Sequence, residues 1–354
     1  MTITRLLHVV LVVEAVVAGL AVVVVFAHAL WLKRESRMSM PRLARGRVAL
    51  AEYFEGGAEE QDVALAVLAK FPCRVRTRLL EEASVGMRSG GTMTVAHAAG
   101  RLGLERRARR WCRSHRWWRR ARGVHLLTLW DAVDVPAHLL TDRHPIVRAR
   151  AIEWAGDHPR PELVELVLER LGDPTLLCRW RAEDAVLRAG AAATGPLGHR
   201  LDIATGPDLD VLLRLAARRP DSSFHAVALR LVADERPAVR AGAAAVLGAL
   251  GGAEATAALE ALLADPQPGP RVAAAEALGR LRHWPAATSV AALLSDPSWD
   301  ARRAAAESLV VMGAPGTLLL GSHARGSDED AARMARYALD VANLARGGQA
   351  SVER

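Results

Sequence analysis

Three hundred and fifty-four residues exceed what one compact core of ordinary size holds, so the chain is either two domains or a fold that grows by addition. The basic side is almost pure arginine, with Lys33 and Lys70 the only lysines among 47 Lys+Arg, and the formal net charge is +8. Scarce aromatics (4%) with 28 Gly and 17 Pro argue against collagen-like, low-complexity and β-sandwich folds, and Cys73, Cys112 and Cys178 cannot build a disulfide framework.

The run Leu6–Leu32, LLHVVLVVEAVVAGLAVVVVFAHALWL, is interrupted only by His8, Glu14 and His28. As a helix it reaches about 40 Å, enough for a ~30 Å hydrocarbon layer, and predicts a transmembrane helix over 6–32. Ala27-His28-Ala29 has the form of a signal-peptide cleavage site, but the apolar run is too long for one. Arg5 alone precedes the run, whereas Lys33, Arg34, Arg37, Arg42, Arg45 and Arg47 follow it. That bias predicts a short external N-terminus (1–5), a basic juxtamembrane segment and linker (33–60), and a single-pass protein of the cytoplasmic membrane with the rest in the cytoplasm. Steps of four and three from Glu14 give Ala18, Ala21, Val25 and His28, a small and polar stripe suited to a partner helix; a protonated Glu14 near the headgroups is the other reading.

Charge then segregates. Residues 33–122 hold 21 basic and 9 acidic groups, whereas 123–354 hold 25 and 29. The excess concentrates in RLGLERRARRWCRSHRWWRRARG, 101–123, where Arg106, Arg107, Arg109, Arg110, Arg113, Arg116 and Arg119 interleave with Trp111, Trp117 and Trp118 against Glu105 alone. Such a segment suits an anionic membrane surface or an acidic protein partner, and less well the stacking of nucleic-acid bases. In the plainer reading Arg120 is a structural residue, the tryptophans fill a core, and the remainder follows the arginine-rich composition. Cys112-x2-His115 with His125 offers three metal-ligand candidates without a fourth, set among repelling arginines.

From residue 142 onward the chain repeats. Asp142, Asp173, Asp234, Asp265 and Asp296 each have Arg six residues on (Arg148, Arg179, Arg240, Arg271, Arg302) and Ala nine residues on (Ala151, Ala182, Ala243, Ala274, Ala305). Spacings of 31 recur, with one gap of 61 that Asp208, Arg214 and Ala217 fill at the same offsets. Ser114, Arg120 and Gly123 extend the pattern upstream, and SDEDAARMARYALD forms a degraded end unit. A fixed period near 31 predicts stacked helix pairs. Asp-Pro reads as an N-cap followed by Pro in the first turn. Val239, Ala243, Val246, Leu247 and Leu250 share one helical face that Gly251-Gly252 ends, and a second helix spans Ala255 to Leu263.

The frame Asp-x5-Arg-x2-Ala-x3-Leu-Gly, as in DERPAVRAGAAAVLG and DPQPGPRVAAAEALG, resembles the short HEAT-like repeats of bacteria, the type also found in phycobilin lyase-like proteins. The resemblance implies an all-α chain with a right-handed α-solenoid of helix pairs over 61–345; residues 346–354, beyond it, are expected to be a disordered tail. It also implies that Asp142, Arg148, Asp173, Arg179, Asp234, Arg240, Asp265, Arg271, Asp296 and Arg302, with Asp208 and Arg214 in the hidden unit, form a structural ladder between units. With the apolar run added, the chain is similar to membrane-anchored HEAT-repeat proteins of actinobacteria.

No phosphate-cradling loop, G-x-G-x-x-G, G-x-S-x-G or H-E-x-x-H occurs, and there is no His-Glu dipeptide of the kind that HEAT-like hydroxylases use to hold iron. The expectation is a non-enzymatic scaffold or adaptor without cofactor, metal or small-molecule substrate, binding a protein at the membrane face, with a membrane enzyme such as a glycosyltransferase as a client. Glu162, Glu165, Glu169, Thr256, Glu260, Thr288 and Ser289 on the second helices are the expected partner-reading positions. The rival is a HEAT-like lyase or base-modifying enzyme with its site in the groove of the solenoid.

Overall fold

The computed structural model describes residue 23 and residues 41–86, 92–132, 134–206 and 208–352; among them there is helix, turn and bend but no strand. The chain divides into two compact units, Met1–Pro136 and Ala137–Arg354.

The expected membrane location is corrected here. Among the described residues no helix is long and apolar enough to cross a membrane. The longest of them, 24 residues, begins Glu-Asp and carries Arg333, Arg336, Asp340 and Arg346 along its length, charges that hydrocarbon does not accept. The 6–32 run, with Glu14, Ala18, Ala21 and His28, lies outside the described residues apart from Val23. The membrane-enzyme client rests on that run and, with the anionic membrane surface expected for residues 101–123, is not carried further.

The first unit contains α1 (41–55), α2 (Ala58–Ala69), α3 (Cys73–Gly86), α4 (Thr92–Arg101), α5 (Leu104–Cys112) and α6 (Trp117–Leu129). Of the segment read as a linker up to residue 60, the described part, 41–60, is mostly helical. Leu43, Tyr53, Leu68, Leu79, Leu80, Leu126 and Leu127 are buried, and the Tyr53 hydroxyl lies 2.8 Å from His97 Nδ1. Gly123 sets the closest approach of α6 to α5: a Cβ there would stand 2.7 Å from the Ala108 carbonyl oxygen and 2.9 Å from Cys112 Sγ.

The second unit alternates longer and shorter helices. The first helices of its pairs are α7 (Pro145–Asp157), α9 (Leu176–Arg188), α11 (Leu209–Arg218), α13 (Pro237–Leu250), α15 (Pro268–Arg280) and α17 (Trp299–Val311). The second helices are α8 (Pro161–Leu168), α10 (Thr194–Ile203), α12 (His225–Leu231), α14 (Ala253–Leu262), α16 (Ala287–Ala292) and α18 (Ala314–His323), and α19 (Glu329–Val352) follows. Helix therefore continues past residue 346, where the sequence suggests a disordered tail.

Small residues let the first helices stack. Ala151, Ala182, Ala243, Ala274 and Ala305 are each at most 1% exposed. Five residues further on, Gly248 packs on the next helix so closely that a Cβ would lie 2.9 Å from Ala277 Cα, and Gly156 meets Ala185 in the same way.

Asp142, Asp173, Asp234, Asp265 and Asp296 stand two residues ahead of their N-caps rather than at them. The carboxylates of Asp142, Asp173, Asp234, Asp265 and Asp296 accept the backbone N–H two residues on, at 2.8–2.9 Å. These are Asx turns that deliver the chain into the helix. The N-caps themselves are Thr175, Gln267 and Ser298, so the prolines after the aspartates lie in the turn outside the helix. Pro145, Pro237 and Pro268 open the helices proper.

One repeat is out of frame. On α11 the fully buried alanine is Ala216, not Ala217, so the equivalents of the ladder pair fall at 207 and Leu213, one residue before Asp208 and Arg214. Leu213 occupies the packing position, where a Cβ on Gly242 would meet it at 2.9 Å, and Arg214 points outward to Glu183 at 3.4 Å.

Candidate functional site

Three of the repeats share an arginine fork. Arg148 Nε and Nη2 donate to the two carboxylate oxygens of Asp173 at 2.7 and 2.8 Å, while Nη1 donates to the Asp142 carbonyl at 2.7 Å. Arg240 grips Asp265, and Arg271 grips Asp296, with the same distances, each also donating back to the carbonyl of its own aspartate. One side chain thus ties three points: its own entry loop, its own helix and the entry loop of the next repeat. Arg179, Arg302 and Arg120 make the backward bond, to Asp173, Asp296 and Ser114 respectively.

The first rung is buried, with Arg148 and Asp173 side chains 10% and 1% exposed. Burial pushes the Asp173 carboxyl up, but bonds from Arg148 and Thr175 outweigh it and hold the group at about 2. The Arg240 and Arg271 bonds likewise keep Asp265 and Asp296 low, against the opposing effect of burial, which is the larger single influence on Asp296. These carboxylates are saturated with donors and hold no proton near neutrality, so they serve architecture.

Asp234 has no upstream ladder arginine because of the slipped repeat. Arg236 takes over, its Nε and Nη2 donating to both Asp234 oxygens at 2.9 Å and its Nη1 to the Thr205 carbonyl at 2.7 Å. That fork holds Asp234 at about 2. Sequence reasoning missed Arg236, although an arginine two residues past a ladder aspartate is unique to this repeat.

The arginine segment folds as α5 and α6. On α5, Leu104, Ala108 and Cys112 turn inward, and Arg106, Arg110 and Arg113 outward at helical spacing. Burial pushes the Cys112 thiol up to about 11, so it is neither a nucleophile nor a thiolate ligand near neutrality. Among the described residues no group of three His, Cys, Asp or Glu is placed to hold a metal ion. Some of the arginines are internally committed: Arg109 bridges Glu105 at 2.8 Å and Asp134 at 3.0 Å, Arg101 pairs with Asp62, and Arg122 pairs with Glu81 at 2.5 Å. Trp111 and Trp118 are not core fillers. Arg107 lies 5.2 Å over the Trp111 ring and Arg116 5.5 Å over Trp118, and Trp117 meets Trp118 edge to face. Arg119 is exposed.

On the second helices, Glu162, Glu169, Glu260, Thr288 and Ser289 are exposed, and Glu165 and Thr256 half-buried. Glu260 pairs with His283 at 3.0 Å and Glu169 with Arg170 at 3.1 Å. A cluster of exposed apolar side chains lies elsewhere, on α9, where Leu176, Leu177 and Trp180 are 49%, 46% and 63% exposed, with Ile146 exposed on the adjacent α7. The signal was readable by comparing repeats. Two of these positions, three and four past the aspartate, carry Pro237 and Ala238, or Pro268 and Gly269, in later units.

No family model and no curated protein matches the sequence. Solved structures do. A mutant of the karyopherin Kap121p is 11% identical with a TM-score of 0.51, over 84% of this chain and 42% of that one. Kap121p bound to Nup53p is 12% identical with a TM-score of 0.50, over 80% and 38%. The chain thus spans about two-fifths of the karyopherin. The complex of CpcE and CpcF of phycocyanin lyase from Nostoc sp. PCC7120, 15% identical over 67% of this chain and 94% of that one, reaches only 0.32 and carries no argument. The fold is a HEAT-like helical repeat.

Proposed function

We propose that the chain is a non-enzymatic scaffold that binds a protein partner through the surface of its HEAT-like repeats. The observation that carries this reading is the solvent-facing cluster of Leu176, Leu177 and Trp180 on α9, at a helix whose other face is packed and whose entry loop is fixed by the Arg148–Asp173 rung. A tryptophan flanked by leucines on a rigid support is the kind of anchor that carries most of the energy in protein interfaces. Kap121p, of similar fold, is seen in complex with Nup53p, which supports the reading. The ladder carboxylates are consumed by arginines and turn amides, so the repeats offer no general acid or base from that set.

The test is purification of the full tagged chain from its native cells, in parallel with Leu177→Ser/Trp180→Ala. A partner retained by the parent chain and lost by the double variant, with thermal stability unchanged, supports the proposal. Equal recovery of every co-purifying protein by both contradicts it.

A further inference from the structure

The first unit carries a groove that the ladder does not explain. It has a volume of about 280 Å³ between α3, α5 and α6, lined by Arg74, Arg78, Glu81, Arg107, Trp111 and Arg122. Four guanidiniums face one carboxylate, and that space admits a few side chains but not a folded domain.

The chain's own carboxylates show what fits these guanidiniums. Glu81 Oε1 sits 2.5 Å from Arg122 Nη2. The neighbouring Glu82 accepts from Arg78 Nε at 3.0 Å and from Arg47 Nη2 at 2.8 Å. Arg107 is different: among the described residues it has no ion pair, and its guanidinium rests over Trp111 with its edge donors unused. An arginine stacked on a ring keeps its planar fork oriented for a carboxylate at little further entropic cost.

We propose that this groove docks a glutamate- or aspartate-rich segment of a protein partner, with Arg107 on Trp111 as the principal carboxylate clamp and Arg78 exchanging Glu82 for a ligand carboxylate. The proposal deepens the scaffold reading by naming the chemistry of one partner segment. A peptide fits better than a nucleic-acid strand, because strand binding uses open aromatic faces in series and here Arg107 covers Trp111 while Arg116 covers Trp118. Arg106, Arg110 and Arg113 lie on the outward face of α5 and outside the groove, so they raise the local field without forming the clamp.

The test uses the full chain and three fluorescent probes at physiological salt: a glutamate dodecamer, a glutamine dodecamer and a twelve-nucleotide oligothymidine. The glutamate peptide is expected to bind saturably and at least tenfold more tightly than either other probe. Arg78→Gln/Arg107→Gln should weaken it at least tenfold, and Arg106→Gln/Arg110→Gln less than threefold, since screening confines unpaired charges to about 8 Å. Equal losses in the two double variants, tighter binding of the oligonucleotide, or no saturable peptide binding overturns the proposal. Thermal melts accompany each variant; should the groove pair unfold, Arg107→Gln alone, an exposed change, is expected to cost at least threefold, and no change would be equally fatal. Failure here leaves the α9 surface untouched, because the Leu177/Trp180 variants report on that surface alone.

Discussion

Arg236 holds Asp234 from two residues away with the same three-point fork that Arg148 lays on Asp173 from 25 residues upstream. In the regular rung the arginine comes from the preceding repeat; in the slipped one it comes from the following repeat and reaches back to the Thr205 carbonyl. The two loops are joined either way. This is why a 61-residue gap in the period does not leave an aspartate without its partner.

Removing Arg148 strands a buried carboxylate. Arg148→Met should therefore destabilise the chain by about 3–5 kcal/mol, whereas Arg148→Met/Asp173→Leu should recover most of that loss. Urea unfolding of the parent, single and double variants measures both; a double variant no better than the single would mean that the fork acts through its carbonyl bonds alone.

The rung also predicts an acid limb. Asp173 sits at about 2 in the folded chain against an ordinary value of 3.8, so folding is favoured while the group is ionised in both states. That contribution, about 2 kcal/mol, is fully present above pH ~4 and is lost as pH falls through about 2. Asp173→Asn should flatten this part of a stability-versus-pH curve and lower stability at neutrality. An unchanged slope between pH 4 and 2 would contradict the assignment.

For the slipped repeat, Arg236→Ala should lower the melting temperature clearly, and Arg214→Ala should stay within about 0.5 kcal/mol of the parent, as expected for an exposed side chain outside the ladder. The reverse ranking would restore Arg214 to the ladder.

Gly248→Ala tests the stacking. Alanine gains about 1 kcal/mol in helix propensity, but its Cβ would meet Ala277 Cα at 2.9 Å, and overpacking costs about 1–3 kcal/mol. Net destabilisation by calorimetry is expected; a stabilised variant would show that neighbouring helices separate freely.

The fold was legible where one residue type recurs at one offset. Ala243, Ala274 and Arg240 are readable because every repeat needs a small contact and a fork in the same place. The aspartates were legible as helix-entry residues but not as Asx turns, since an N-cap and a turn two residues earlier select the same amino acid. Asp208 and Arg214 misled because chance residues matched the offsets, while the buried alanine that fixes the frame, Ala216, has an alanine beside it. The tryptophans of α5 and α6 could not be placed from composition: whether Trp111 enters a core or carries Arg107 depends on which face of α5 meets α6, and Gly123 decides that. The α9 cluster needed repeat-by-repeat comparison, because Leu and Trp on a helix read as core until the packed face is known.

The most direct test of the scaffold account is amide hydrogen exchange of the full chain, free and saturated with the partner that the native purification identifies. The account predicts slowed exchange over α9 around Leu177 and Trp180 and on neighbouring exposed repeat positions, with the ladder-held entry loops at Asp173, Asp265 and Asp296 protected equally in both states. Protection that spares α9, or that appears only as tightening of the ladder loops, would contradict it.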